Sequence, residues 1–395
     1  MTTLPTHSSE APQLLPLPPD DAARPLSSPS HKDAPAMADS DAVFDNLPQL
    51  SVALGLWPER PAKEALITAQ LADRLGFKEL WIGDRETSEV LVLATAIAGV
   101  TDRIPLTLGP LPVAVRDPVS IARAAATISH FNDAREVRVA LGAGSKIVVS
   151  HWHGRDHGRA ATALGESAQA LRGFLTQGQA TINGDVVRTR GYRMHLKLPS
   201  KMGTPTLTIA AFGPRTLRVA AAHSDRLVLA FVTPEIAAGL SGRLAEEAAA
   251  ARRACPTVAA WVPVAVIEGP DTGPDQEAAA VEQLRRTLVG YLAAPGYAEA
   301  FTRAGFGNVV ALAQSQPRPH PEELRQAIPL EMVRKIGIFG DRQTVRQRLC
   351  AFGDVIEEVA VLPCSTEYDP AGARTLEALR DMVPGEPMMR PARER

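Results

Sequence analysis

Three short segments of this chain concentrate residue types that let a ligand come close to the backbone. Ala210-Ala211-Phe212-Gly213-Pro214-Arg215-Thr216 runs straight into a helical pattern. Glycine permits close approach and proline suits a first helical turn. The free N–H groups of a helix start attract an anion, to which Arg215 adds a charged clamp. An isolated Gly-Pro also serves as a plain strand-to-helix turn. Leu141-Gly142-Ala143-Gly144-Ser145 is a second such segment, without the third glycine and first-strand setting of a dinucleotide fingerprint. In Leu108-Gly109-Pro110-Leu111-Pro112, a cis Gly109–Pro110 bond would bulge the backbone toward a flat ligand. Proline lowers the cis penalty to about 0.5–1 kcal/mol, against about 3 for other residues; a trans proline ending a strand is the alternative.

Side chains able to do chemistry are sparse. Asp84 and Arg85 end an apolar run, where a charge pair is either solvated surface or faces a pocket. His151, His153 and His157 cluster in His-Trp-His-Gly-Arg-Asp-His. On a helix, His153 and His157 would share a face as zinc ligands do, but Gly154 and Gly158 favour a loop and no carboxylate pair completes a site, so no metal is expected. The chain has no GxSxG, Walker A or Cys–His nucleophile signature. Without an acid, base or nucleophile cluster, chemistry by a bound cofactor fits better than chemistry by side chains.

Composition narrows the class. In 395 residues, 42 Lys+Arg stand against 44 Asp+Glu, a net charge of −2. That balance argues against a whole-surface nucleic-acid binder or a polybasic membrane anchor. Cys255, Cys350 and Cys364 are odd in number and widely spaced, which disfavours a disulfide scaffold or a zinc ribbon. The longest apolar run, residues 90–100, falls short of the roughly 18–20 residues of a membrane span. A cytoplasmic protein acting on a small molecule is expected. Residues 1–40 carry eight prolines and no aromatic residue, a composition that predicts disorder. Met37 is an alternative translation start. The expected organisation is a disordered extension (1–48), one domain (49–383) and a flexible tail (384–395).

From Leu50 onward, strand and helix patterns alternate. Strands are expected at 51–56, 78–83, 105–109, 137–141, 207–211, 226–231, 261–267 and 359–362, with helices between them. Gly76 stops the first helix, Asp117-Pro118 opens the third, and Asn183-Gly184 marks a hairpin insertion. A longer helical excursion covers 277–334, and a last helix 371–382. Eight such units favour a closed (β/α)8 TIM barrel with insertions over an open sheet, and place chemistry at the carboxyl ends of the strands.

The order of elements and several strings resemble the bacterial-luciferase-like family, most of all its coenzyme F420-dependent oxidoreductases, over about residues 50–382. They are Ala72-Asp73-Arg74-Leu75-Gly76-Phe77 with Leu80-Trp81, Arg116-Asp117-Pro118, Arg159 with Glu166, Ala210 to Thr216 with Leu217 and Ser224-Asp225, and Pro295-Gly296-Tyr297. Where that family has Asp-His after strand two, this chain has Asp84-Arg85; Ala134-Arg135 and Arg226 also depart from its pattern. The resemblance implies a barrel whose mouth holds F420, with FMN as the alternative. It also implies a cis peptide at Gly109–Pro110, a phosphate site at Gly213 and Pro214 beside Arg215, and a possible homodimer.

Cofactor contact is accordingly expected at Gly55, Leu56, Gly109, Pro110, Leu111, Gly142, Ala143, Gly144, Ala211, Phe212, Gly213, Pro214 and Arg215. On the substrate side, Arg85 is expected to partner an anion or oxyanion and His153 to donate a proton. The expected activity is hydride transfer between F420 and a small organic substrate. An FMN-dependent monooxygenase and a non-catalytic flavin- or F420-binding protein are the competing expectations.

Overall fold

The computed structural model describes residues 46–131, 135–198, 205–269 and 274–383. The expected tail lies outside them, as does the expected extension save for 46–48, which lead into the first strand. Eight parallel strands close into a barrel: β1 Gln49–Ala53, β2 Leu80–Ile82, β3 Leu106–Pro112, β4 Val137–Gly142, β5 Leu207–Ala210, β6 Arg226–Ala230, β7 Thr257–Val266 and β8 Glu358–Pro363. Each pairs with the next, and β8 returns to β1 (Gln49 against Glu358, Val52 against Val361), so the barrel has no free edge. The expected (β/α)8 fold is the observed one.

Local signals explain most helix boundaries. Gly76 and Gly178 end their helices in the left-handed region, at φ 81° and 74°. Asp117 accepts the Ser120 N–H at 2.9 Å with Pro118 in the first turn, as expected. Helix Val90–Ala98 is capped by Glu89. The hairpin insertion is present as Ile182–Asn183 against Arg188–Thr189, but Asn183-Gly184 is not a two-residue turn. The turn is held from outside: Glu166 accepts the N–H groups of Asp185, Val186 and Val187 at 2.8, 2.9 and 2.7 Å. Partial burial pushes the Glu166 carboxyl up, but these donors and Arg159 outweigh it and leave it below the usual range.

Three expectations need correction. The excursion at 277–334 is a string of separate helices, broken where Gly296, Gly305 and Pro329 interrupt them, with its own apolar core around Leu284, Phe301 and Met332. After it, Ile338–Gly340 adds a strand to the carboxyl end of β7, from Val264 to Val266, on the side where β6 has ended opposite Trp261. The last helix is only Ala373–Ala378 flanked by single 3₁₀ turns, because Ala371 (φ 60°) and Gly372 (φ 65°) break the helical path. No helix among the described residues is long and apolar enough to cross a membrane.

The amino end of the barrel interior is ionic. Arg226 of β6 lies between two buried carboxylates, 2.8 Å from Glu79 and 2.8 Å from Glu358. Arg138 of β4 also pairs with Glu79, and Lys78 reaches Glu358 at 3.0 Å. Glu79 precedes β2 and Glu358 opens β8, so the four even-numbered strands supply the charges, as expected of one layer of a TIM barrel. Ser51 and Trp81 donate to Glu358 at 2.7 and 3.2 Å, and the Arg226 guanidinium sits 4.2 Å from the centre of a Trp81 ring. Burial and the nearby Glu358 push the Glu79 carboxyl up. Burial acts the same way on Glu358, but Arg226, Lys78 and Ser51 draw it down. Replacing Arg226 by Met should leave two carboxylates buried without their shared cation, at a cost of about 3–5 kcal/mol in urea unfolding. A loss below about 1 kcal/mol would show that the layer does not support the barrel.

Candidate functional site

The three backbone segments converge at the carboxyl mouth of the barrel. Gly109–Pro110 is cis. Gly109 has φ +109°, and a Cβ there would stand 2.3 Å from the Ala140 carbonyl oxygen, so glycine is required. The register between β3 and β4 slips at this point, between Leu108 and Leu111, and then pairs Pro112 with Gly142. A Cβ on Gly142 would lie 3.4 Å from Pro110 Cβ and 3.9 Å from Ala210 Cβ, so its absence keeps clear a space shared by the β3, β4 and β5 ends. Leu111 is buried in the core and offers only its backbone to that space. Ala143 and Gly144 are half-exposed; Gly144 (φ +75°) accepts the His157 Nε2–H at 3.0 Å.

On the β5 turn, Gly213 starts helix Pro214–His223 without a side-chain cap, and only Thr216 Oγ1 comes within 4 Å of where its Cβ would be. Ala211 is buried, Phe212 half-buried and Arg215 exposed. The β1 turn is different in kind. A Cβ on Gly55 would fall 2.2 Å from Trp57 Nε1, so packing against Trp57 already demands this glycine; Leu56 adopts φ +47°, and Trp57 donates to the Pro363 carbonyl at 3.1 Å.

The two substrate-side residues are separated. Asp84 is engaged by Arg116 at 2.8 and 3.2 Å, whereas the half-buried Arg85 guanidinium has no ion pair or hydrogen bond among the described residues. Its stem lies over Gly83, 3.8 Å from where a Cβ would stand. His153 is exposed at the end of a π-helical turn, Ile147–Trp152, that takes in His151 and Trp152. The expected loop thus begins at His153, two residues into the segment; no group of three or more metal-ligating side chains occurs among the described residues.

Sequence reasoning named Phe212 but not the aromatic residues that gather around it. The excursion after β7 brings Tyr297 onto Phe212 (ring centres 4.5 Å apart) and Tyr291 onto Phe231 (4.8 Å), where Phe231 follows β6 with φ +55°. A Cβ on Gly296 would strike Phe212 Cβ at 2.5 Å, so Gly296 permits the contact. Inside the barrel, Trp81 and Trp261 meet edge to face at 5.9 Å, and the Trp261 Nε1–H is buried without an acceptor. Such contacts join elements far apart in the chain, and Pro295-Gly296-Tyr297 was their one local trace.

A cavity of about 230 Å³ opens between the β1 turn, the start of the first helix and the end of β8, lined by Gly55, Leu56, Trp57, Arg60 and Ser365 among others. It takes nothing from the β3, β4 or β5 turns, where the glycine-lined space and the uncapped helix start lie. Those two features fit a flat ring with an anionic tail: Gly142 leaves room beside Pro110, and the Gly213 turn has free donors with open space in front.

Comparison with known proteins agrees with this architecture. The chain is 27% identical over 209 residues to 5,10-methylenetetrahydromethanopterin reductase of Methanolobus tindarius, covering 50% of this chain and 62%, under two thirds, of that protein. It is 23% identical over 325 residues to a putative coenzyme F420-dependent oxidoreductase of Mycobacterium tuberculosis, covering 77% and 91% of the two chains. The solved coenzyme F420-dependent tetrahydromethanopterin reductase of Methanopyrus kandleri superposes with a TM-score of 0.70 at 18% identity, over 85% of this chain and 98% of that one. The family model described as luciferase-like monooxygenase matches residues 45–355, and it is to this luciferase-like family that the chain belongs.

Proposed function

We propose that this protein is an F420-dependent oxidoreductase acting on a small organic substrate. The observation that carries the reading is the pairing of a glycine-cleared space at Gly109, Pro110 and Gly142 with an uncapped helix start at Gly213, on neighbouring strands of one mouth. The F420-dependent relatives support this choice of coenzyme. The coenzyme, when bound, supplies the hydride chemistry. The chain's part is to hold the ring at the β3 and β4 turns and the anionic tail at the first turn of Pro214–His223, with Arg215 alongside. Arg85 neutralises negative charge on the substrate. His153 takes the proton-donor role only if its segment folds inward over the mouth. An FMN-dependent monooxygenase is the second reading, favoured by the description of the matching family.

Separate fluorescence titrations with F420 and FMN decide between them: saturable F420 binding is expected, and FMN binding at submicromolar concentration with no F420 response would overturn the choice. A reduced-F420 oxidation assay over a substrate panel separates enzyme from passive binder. Gly213→Asp should keep or slightly raise stability, because φ −79° and ψ 159° suit any residue and Asp is a good N-cap. The same carboxylate would occupy the anion position and weaken coenzyme binding by about 100-fold, roughly 2.7 kcal/mol. Unchanged affinity in that variant refutes the phosphate assignment. A homodimer is proposed through helix Val90–Ala98, where Val92 is 69% exposed. Light scattering should give twice the chain mass, and Val92→Glu should give monomers.

A further inference from the structure

The cavity of about 230 Å³ at the β1 turn is lined by an ion pair, Arg60 with Glu64. Arg60 donates to Glu64 through Nε at 3.1 Å and Nη2 at 2.6 Å, which occupies one edge of the guanidinium. Glu64 Oε2 also accepts the Ser365 hydroxyl and, at 3.3 Å, the Ala371 N–H. With three donors Oε2 is saturated, whereas Oε1 receives Arg60 alone and keeps a lone pair. Arg60 Nη1 has no hydrogen-bond partner among the described residues, so its two N–H groups are unused. Burial pushes the Glu64 carboxyl up, but Arg60, Ser365 and the Ala371 N–H outweigh it and leave it below its ordinary range, so both partners are charged. The Arg60 and Glu64 side chains retain 20% and 11% exposure, which keeps the pair within reach of a ligand.

The rest of the lining is mostly apolar and fixed in advance. Trp57 is buried, joins the apolar core of the excursion and donates to the Pro363 carbonyl at 3.1 Å. Leu54, Ala65 and Pro363 extend this wall, and Thr87, which donates to the Leu56 carbonyl at 3.3 Å, bounds the cavity on the β2 side. None of these contacts must form when a ligand enters, so little ordering cost is left to binding.

Of the described residues that line the cavity, only Arg60 and Glu64 carry charge, and their charges cancel. A ligand carboxylate would meet Glu64 and a ligand ammonium would meet Arg60, each giving up hydration with no net opposite charge in return. A neutral group that accepts from Arg60 and donates to Glu64 Oε1 satisfies both. An amide offers that acceptor and that donor on adjacent atoms. We propose that this cavity is a second small-molecule site, separate from the coenzyme mouth, for a neutral ligand bearing a primary amide or lactam on an apolar ring. The size agrees, since benzene occupies an engineered cavity of about 150 Å³ and the volume here leaves room for the amide as well. The inference goes beyond the oxidoreductase reading and does not depend on it.

The test is saturation-transfer NMR titration of the full chain with benzamide, benzoate and benzylamine, which share a ring and differ in charge. Benzamide is expected to bind saturably and about tenfold more tightly than either charged probe, with its affinity unchanged by F420 or FMN. Ala65→Leu, which fills the cavity from helix Glu64–Leu75 without removing a hydrogen bond, should abolish benzamide binding at the wild-type melting temperature. Arg60→Met leaves Glu64 as the one charge on the wall, so benzylamine should become the preferred probe. No saturable benzamide binding, equal affinities for the three probes, unchanged affinity in folded Ala65→Leu, or displacement of benzamide by either coenzyme would each overturn the proposal. If Ala65→Leu does not fold, Arg60→Met decides, and an unchanged order of the probes overturns the proposal. Failure of F420 and FMN to bind the same sample counts against the oxidoreductase reading alone.

Discussion

The bridge that Arg226 makes between Glu79 and Glu358, one guanidinium nitrogen to each, is the constraint on which the rest of the molecule depends. A barrel of eight strands must fill its interior, and here the amino end is filled by charges rather than by aliphatic layers. Charges out of water are tolerable only when each has a partner in place, so the network demands a definite register for the even-numbered strands. Above it the Trp81 ring covers the Arg226 guanidinium and supports Trp261 edge to face. The floor of the mouth is thereby set at a definite depth.

From that floor upward the wall thins. Gly83, Gly142, Ala53 and Ala210 replace the branched residues that would otherwise close the interior, and the cis Gly109–Pro110 bond lies where β3 and β4 change register. The site is therefore defined mainly by what is missing. At the β3, β4 and β5 ends, Gly109 and Gly142 keep side chains away and the helix start at Gly213 lacks a side-chain cap. This pattern suits a protein that supplies shape and charge to a ring-bearing coenzyme.

The helical excursion after β7 completes the mouth. It carries its own apolar core, yet it meets the barrel through Tyr291 and Tyr297 on the turns that follow β5 and β6. Because Phe212 immediately precedes Gly213, the excursion bears on the turn that starts the candidate anion site. Variation in this segment would alter the mouth without disturbing the ionic layer beneath.

Periodicity and punctuation were enough to read all eight barrel strands, the Asp117-Pro118 helix start and the Gly76 stop; at Gly109–Pro110 they left cis and trans open, and the family resemblance pointed to cis. These depend on interactions within a few residues, and a sequence records such interactions directly. Glu79, Arg138, Arg226 and Glu358 drew no attention as a group, since their partners are supplied by strands up to 280 residues apart. Trp261 entered only as the start of an expected strand, for the same reason, and Tyr297 only as part of the Pro295-Gly296-Tyr297 string within the helical excursion. His153 looked equivalent to Arg85 in sequence, but folding leaves one exposed and the other half-buried at the mouth. Local chain order determined the barrel; only closure of the sheet decided which charges cancel inside it and which donors remain free, because both depend on what the opposite wall contributes.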